Sequence, residues 1–168
     1  MLVLAAVLAA APARAESEYE VKAAYLYKVA GLVKWPASAF ANPQAPLAIG
    51  VVGREPFAVI SRTLRGLEPK PGARPIEVRL LAAGDSAGLQ ASHIVFVGGA
   101  ERIAGIAAAV RGRPVLTVGE VGEFARNGGM IGFVVREQRI KLQINNNAAR
   151  QARLDIASDL LGIAEIVN

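Results

Sequence analysis

Leu47-Ala48-Ile49-Gly50-Val51-Val52 is an uninterrupted apolar run of strand length, and it decides the fold class. A run without the polar alternation of a half-exposed strand is typical of a strand that is buried on both faces. Strands of this kind occur mostly in parallel sheets that helices cover on both sides. The run therefore predicts a strand inside a layered α/β sheet.

Predicted strands and helices alternate along the rest of the chain. The other strands are predicted at residues 76–81, 94–97 and 115–118, and the helices at residues 19–35, about 56–64, about 100–110 and 120–125. Pro36 ends the first helix, because a residue that precedes proline avoids the α conformation. Pro56 suits the first position of the second helix. Such alternation indicates an α/β layered sheet.

Residues 128–168 add a different unit at the C-terminus. Two apolar segments, residues 132–135 and 140–144, flank the charged stretch Arg136-Glu137-Gln138-Arg139 and predict a hairpin. Asn145-Asn146-Asn147 then opens a long predicted helix, where an Asn side-chain oxygen can cap the first amides. The sequence thus predicts a single three-layer α/β domain. Its sheet is mixed and mostly parallel, with a C-terminal antiparallel hairpin and a long C-terminal helix.

The N-terminus has the pattern of a secretory signal peptide. Residues 2–11 are apolar, and Pro12 and Ala13-Arg14-Ala15 follow as a small-x-small cleavage site. The run is too short for a stable membrane span. It has no basic residue ahead of it, which a start assigned a few codons too late would explain; a weak signal or a buried N-terminal helix are the alternatives. We expect residues 1–15 to be a signal peptide and residues 16–168 to form one exported domain.

Composition narrows the class of partner. The formal net charge is +5, but the cationic residues are scattered and only 5% of residues are aromatic. Nucleic-acid binders usually carry a stripe of cations with aromatic stacking partners, so no nucleic-acid partner is expected. Cysteine is absent, which neither supports nor refutes export, because a domain of this size can be held together by burial alone.

The residue inventory does not favour catalysis. His93 is the only histidine and precedes a buried strand, where a structural role is more common than that of a base. A Gly-x-Ser-x-Gly motif and cysteine are missing, and a catalytic zinc site would need three ligands. Asp155 and Asp159 could share a cation in principle, but they fall on the polar side of the predicted last helix. We expect a binding protein that is not an enzyme and has no cofactor or metal site.

Two strand-to-helix junctions could hold a small anion. Gly53-Arg54-Glu55-Pro56 and Gly98-Gly99 follow predicted strands and precede helices, and helix N-termini at the carboxyl edge of a parallel sheet attract anions. Neither junction is a dinucleotide fingerprint or a Walker loop. The candidate ligand-binding residues are Arg54, Gly98 and Gly99, and tight-turn geometry is the alternative explanation for the glycines.

The candidate partner-binding residues are Trp35, Phe57, Arg150 and Arg153. Tryptophan and arginine are over-represented among residues that anchor interfaces. Arg150 and Arg153 project into the apolar arc of the predicted last helix, where they either extend outward to solvent or meet a partner carboxylate or an anionic ligand. Trp35 could equally cap the core.

Four segments together resemble one protein family. They are Lys22-Ala23-Ala24-Tyr25-Leu26-Tyr27-Lys28 ending at Trp35-Pro36, then Gly53-Arg54-Glu55-Pro56-Phe57, Gly128-Gly129-Met130-Ile131, and the segment from Ile144-Asn145 to Ser158-Asp159-Leu160-Leu161. In this order they resemble the YfiR-like proteins over nearly the whole mature chain. Arg153 departs from the small residue that the family tends to have, and the cysteines of some members are missing.

The resemblance implies a periplasmic repressor. YfiR-like proteins bind the periplasmic sensor domain of an inner-membrane diguanylate cyclase, which lowers cyclic-di-GMP signalling and biofilm formation. They commonly form dimers, and they are not enzymes. The resemblance therefore implies a regulatory homodimer without disulfide control; the alternative is a periplasmic module that binds a small ligand in the strand-end anion pocket.

Overall fold

A computed structural model describes residues 11–68, 70–99 and 103–168, with side chains from Glu18 onward. Residues 1–10, which make up most of the expected signal peptide, lie outside the described part of the chain, as do residues 100–102 at the start of one predicted helix. Residues 11–15 form the first turn of a helix that continues past the expected cleavage site. Among the described residues, no helix combines the length and apolarity needed to cross a membrane.

The described chain contains six α-helices and nine strands. The helices are α1 Ala11–Leu32, α2 Arg54–Arg65, α3 Ser86–Gln90, α4 Ile103–Ala109, α5 Asn146–Gln151 and α6 Ser158–Leu161, with a 3₁₀ turn at Ala37–Ala39. The strands are β1 Val33–Lys34, β2 Leu47–Val52, β3 Ile76–Leu81, β4 Ile94–Val97, β5 Leu116–Gly119, β6 Ile131–Arg136, β7 Arg139–Asn145, β8 Asp155–Ile156 and β9 Glu165–Val167.

Seven strands form one mixed sheet in the order β3-β2-β4-β5-β6-β7-β9. The first five are parallel, β7 is antiparallel to β6, and β9 runs parallel to β7. β2, β4 and β5 are buried along their whole length, as the apolar runs predict. The predicted α/β class with a mostly parallel sheet is confirmed.

Two apolar cores lie on opposite faces of the sheet. Along β4, Ile94 and Phe96 belong to the core that α1 and α2 cover, whereas Val95 and Val97 belong to the core under α3 and α4. The alternation follows from the period of two in a strand, because successive side chains point to opposite faces. The sheet is therefore the middle of three layers, as expected.

The hairpin of β6 and β7 is confirmed, with a shorter turn than predicted. Arg136 pairs with Arg139, so only Glu137 and Gln138 form the turn. Both have positive φ, 49° and 61°, as a type I′ turn requires. Asn145 caps α5 as expected, since its Oδ1 accepts a hydrogen bond from the amide of Ala148 at 2.9 Å.

The predicted long C-terminal helix is wrong, because α5 ends at Gln151. Arg153 takes a left-handed conformation (φ 61°), the amide of Leu154 donates to Ala149 O at 3.0 Å, and that of Arg153 donates to Arg150 O at 2.9 Å. These two bonds form a Schellman motif, which satisfies the last carbonyls and turns the chain away from the helix axis. β8, α6 and β9 follow in place of further helical turns.

Two other helix predictions need correction. The segment 120–125 forms turns and no helix, and Glu123 has φ 54°. The first helix ends at Leu32, before Trp35, because Val33 and Lys34 form β1 and pair with β8 in a small antiparallel sheet. The second helix begins at Arg54, two residues before Pro56.

Candidate functional site

The predicted anion site lies at the topological switch point of the sheet, where successive strands are added on opposite sides of β2. β3 and β4 flank β2, so the ends of β2 and β4 border the crevice in which α/β sheets often bind ligands. Pro56 packs into this crevice: a Cβ placed on Gly98 would lie 2.5 Å from Cγ of Pro56. The side chain of Arg54 is exposed at the start of α2.

Gly99 already has an anionic partner from the same chain. Its amide donates a hydrogen bond to Oε1 of Glu120 at 3.1 Å. A small anion bound to this amide would therefore have to displace the Glu120 carboxylate. The structure places the three predicted ligand residues near one another at the ends of β2 and β4, beside a side chain that supplies a negative charge.

Glu120 is the centre of a polar cluster that joins α1 to the end of β5. Its carboxylate accepts a hydrogen bond from Tyr19 Oη at 2.9 Å and forms an ion pair with Lys22 Nζ. Lys22 also contacts Glu18 at 2.6 Å and is itself 4% exposed, so its ammonium group is held between a largely buried carboxylate, Glu120, and a partly exposed one, Glu18. Such a charge is stable only when it is paired and hydrogen-bonded.

Tyr19 is held in its protonated form by this cluster. Burial raises the pKa of its hydroxyl well above the ordinary value, and the negative charge of Glu120 raises the pKa further. The hydroxyl therefore donates its hydrogen bond to Glu120 across the whole physiological pH range. The cluster fastens α1 to the sheet, and sequence reasoning missed it because its members lie about a hundred residues apart.

His93 is a structural residue in a packed setting. Nδ1 accepts the amide hydrogen of Ala48 at 2.9 Å, so the proton resides on Nε2, which donates to Ala39 O at 2.9 Å. The imidazole stacks on Phe40 at 4.3 Å between ring centroids. Burial lowers the pKa of the imidazole, and the positive charge of Arg74 lowers it further. Both ring nitrogens are thus committed to the backbone.

The four predicted partner residues do not lie on one surface. Trp35 is half-buried and donates from Nε1 to His93 O at 3.3 Å, which places it at the amino edge of the sheet. Arg153 is at the same edge, where its guanidinium contacts Gly112 O at 3.4 Å, and Arg150 is exposed on α5. Phe57 packs against the core in the first turn of α2, at the opposite, carboxyl edge.

A groove of about 660 Å³ lies in a region that the sequence reasoning did not single out. α1 forms one wall, and the arm of the hairpin that includes β7 forms the other. Its lining includes Val21, Val135 and Ile163, which are 44%, 56% and 55% exposed. The charged hairpin tip was the only signal for it in the sequence, because the opposite wall comes from a helix more than a hundred residues earlier.

Among the residues that the structure describes, no group of three or more His, Asp or Glu side chains could hold a metal ion. Tyr25 links the two walls of the groove, with its hydroxyl 3.5 Å from Ile140 O. The groove is therefore suited to contacts with apolar and hydrogen-bonding groups of another molecule.

A family model described as YfiR/HmsC-like matches residues 19–165, which include all the elements above from the middle of α1 to the start of β9. The chain belongs to the YfiR/HmsC-like family. The family is a regulatory family of periplasmic proteins linked to the control of diguanylate cyclases, and it is not a family of enzymes. The resemblance stated from the four sequence segments is confirmed.

The other comparisons concern the fold. No curated protein matches the chain. Among solved structures, the chain is similar to an ABC domain in complex with L-Trp from Streptococcus pneumonia, with a TM-score of 0.57 and 10% sequence identity. The alignment covers 89% of this chain and 60% of the other one, so this chain spans less than two thirds of that protein. At this level of identity the likeness shows the shared α/β fold alone.

Proposed function

We propose that this protein is a periplasmic repressor that binds the sensor domain of an inner-membrane diguanylate cyclase and lowers cyclic-di-GMP output. The observation that carries the proposal is the family match over residues 19–165. The repressor is a homodimer in this proposal, and residues 1–15 are its signal peptide.

The mechanism is a shift of population between two states of the cyclase. A regulator that binds the inactive conformation of the sensor more tightly than the active one raises the inactive fraction by that difference in affinity. A shift from 1:99 to 99:1 needs a difference of about 10⁴ in affinity, or about 5.5 kcal/mol. No covalent chemistry is required of the repressor, which agrees with a histidine whose two nitrogens are bonded to the backbone.

Co-purification with the cyclase and measurement of cyclic-di-GMP after deletion of the gene test this proposal. We expect the tagged protein to retain a membrane cyclase and the deletion strain to contain more cyclic-di-GMP. A strain with unchanged cyclic-di-GMP and no retained cyclase would refute it. Subunit number is read from light scattering of the purified protein, where a monomer at every concentration would remove the dimer.

Three of the four predicted partner residues can be tested by charge reversal or by truncation of the side chain. Arg153→Glu and Arg150→Glu test the amino-edge surface, and Phe57→Ala tests the opposite edge. Loss of cyclase binding in one set alone would locate the contact, because the two sets lie at opposite ends of the sheet. Unaltered binding in all three variants would remove these residues from the interface.

The alternative function is a small-ligand module that uses Arg54, Gly98 and Gly99. The positive φ of Gly99, 86°, is compatible with a ligand that approaches the backbone, and no atom of the described residues lies within 4 Å of its Cβ position. A thermal-shift screen with anionic metabolites distinguishes the functions, since a ligand that binds only the folded state raises the melting temperature by mass action. Glu120→Gln should strengthen any anion binding here, because it removes the competing charge from the Gly99 amide.

A further inference from the structure

The outer edge of β7 is open along part of its length. β9 pairs only with Gln143, Ile144 and Asn145, so residues 139–142 have no strand neighbour on that side in the described chain. Arg136 and Arg139 close the two-residue turn as a hydrogen-bonded pair, and such pairs alternate along an antiparallel ladder. The amide and carbonyl of Ile140 therefore point outward from the hairpin.

The open edge borders the groove between β7 and α1. The groove is lined by the consecutive residues 138–142, and Tyr25 of α1 places its hydroxyl 3.5 Å from the outward carbonyl of Ile140. A carbonyl oxygen has two lone pairs, so this contact leaves room for a second donor. An extended segment could thus bond to the backbone of Ile140 while it occupies the groove.

The two faces of the hairpin differ in chemistry. Val135, Ile140 and Leu142 share the face that points to α1, because residues of one strand alternate and cross-strand partners share a face. Arg136, Arg139 and Lys141 share the opposite face; all three are exposed, and no carboxylate in the described structure forms an ion pair with them.

An added strand would continue both faces. On one face its alternate side chains would lie beside Ile140 and the exposed residues Val21 and Ile163, with the exposed Val135 one strand further in. On the other face they would lie beside Arg139 and Lys141, with Arg136 one strand further in. The complementary sequence is one in which apolar residues alternate with acidic ones. Backbone bonds to a sheet edge supply affinity in this mode of recognition, and the side chains supply specificity.

We propose that the open edge of β7 and the adjoining groove bind an extended segment of the partner protein in which apolar and acidic residues alternate. This inference deepens the proposed function, since it names the surface by which the repressor would hold its sensor domain, and it rests on that function for the identity of the partner.

Binding can be tested with a designed probe. The probe is a fluorescently labelled peptide in which glutamate alternates with valine or isoleucine, and the matched peptide has the same composition with its glutamates contiguous. We expect the alternating peptide to bind at least about tenfold more tightly, because only its side chains match both faces of the hairpin. Equal binding of the two peptides, or no binding of either, would overturn the proposal.

Hydrogen exchange reports the backbone contact directly. The amide of Ile140 points outward and should exchange quickly in the free protein, whereas that of Lys141 points to Val134 and should exchange slowly. The alternating peptide is expected to slow the exchange of the Ile140 amide by about tenfold or more. An unchanged rate at Ile140 with peptide bound would place the peptide elsewhere and refute strand addition.

Two variants, each with a matched control, test the contributions of the two hairpin faces to binding separately. Arg139→Glu/Lys141→Glu reverses the cationic face, and its control Arg111→Glu/Arg113→Glu makes the same charge change at exposed residues after α4. Val135→Asp places a charge on the apolar face, and its control Leu80→Asp alters an equally apolar, 44% exposed residue of β3 at the other end of the sheet. All six substituted positions, in the variants and their controls, carry exposed side chains, so folding should be retained.

We expect each hairpin variant to weaken peptide and partner binding by about tenfold or more, and each control to change it by less than about twofold. Arg139 and Lys141 could instead serve only to prevent the β7 edges of two molecules from pairing. In that case reversing their charges will leave peptide binding unaltered, which refutes the proposal. If the hairpin variants bind the cyclase as tightly as the wild type does, this inference is refuted and the proposed function is unaffected. If the wild type binds no cyclase, the proposed function is refuted, and the peptide experiment still tests whether the β7 edge binds an extended segment.

Discussion

Lys22 of α1 forms a buried ion pair with Glu120, 98 residues later in the chain at the end of β5. The side chains are 5% and 11% exposed, and the same carboxylate also accepts hydrogen bonds from Tyr19 and from the amide of Gly99. One carboxylate thus satisfies donors from α1 and from the end of β4. The position of α1, and with it one wall of the groove, depends on this pair.

Lys22→Met should destabilise the protein by about 3 kcal/mol, because it leaves the Glu120 carboxylate buried without its cation. Lys22→Met/Glu120→Gln should recover most of the loss, since both charges are then removed. The free energies of unfolding from urea titrations check this expectation. A loss below about 1 kcal/mol in the single variant would mean that Glu120 remains well solvated.

Stability should fall when the pH drops below 6.5, because His93 has a lowered pKa in the folded state. The unfolded chain then binds a proton that the folded chain does not, so the contribution of neutral His93 is complete above pH 6.5 and is lost as the pH falls toward the folded pKa. Protonation also removes the acceptor of the Ala48 amide. Thermal unfolding between pH 7 and 5 measures the effect.

The control for this pH effect is His93→Gln. His93 is the only histidine, and the pKa values of the Glu77 and Glu165 carboxylates are lowered by hydrogen bonds to Arg79 and to Gln143, so their contributions to stability are lost only at lower pH. The variant should therefore lose most of the pH dependence between 6.5 and 5. A variant that keeps the same slope would assign the effect to another group.

Arg153→Gly should stabilise the protein by about 0.5–1 kcal/mol, because glycine adopts the left-handed conformation of this position without a Cβ penalty. The substitution sacrifices only the long contact of Arg153 with Gly112 O. Arg150→Gly is the matched control: that residue lies within α5, where glycine costs about 1 kcal/mol. Melting temperatures that shift in the same direction for both variants would contradict the assignment.

Gly119→Ala should destabilise the protein by about 2 kcal/mol, because its Cβ would lie 2.1 Å from the ring of Phe124. A Cβ on Gly129 would also meet that ring at 2.1 Å, so Phe124 is held between two glycines and cannot move aside easily. Gly122→Ala, with open space at its Cβ position, should be tolerated. Calorimetric unfolding compares the two, and equal melting temperatures would refute the packing argument.

The sequence predicts the parallel part of the fold well and its C-terminus poorly, for a physical reason. β2 and β4 are apolar throughout because both faces are buried, which is a local signal. Arg153, by contrast, ends α5 in a conformation that glycine usually adopts, so the usual stop signal is missing. The apolar residues beyond it, which pack in β8, α6 and β9, could then be read as further helical turns.

The candidate site was predictable only in fragments. Arg54 and Gly98 were placed correctly at strand ends, since their positions follow from the alternation of strands and helices. The groove needs Tyr25 and Ile140 to meet across 115 residues, and no local pattern encodes that meeting. Phe124 was wrongly predicted to lie in a helix. Its ring packs between Gly119 of β5 and Gly129 of a loop, and no local sequence pattern indicates that contact.

The small sheet of β1 and β8 joins the end of the first helix to residues close to the C-terminus. Val33 and Ile156 pair across most of the polypeptide, and both are buried. Closing so large a loop costs entropy before the contacts repay it, which slows folding. A chain synthesised only as far as Gln151 lacks β8, so the end of the first helix cannot be pinned in place until the segment after α5 has been made.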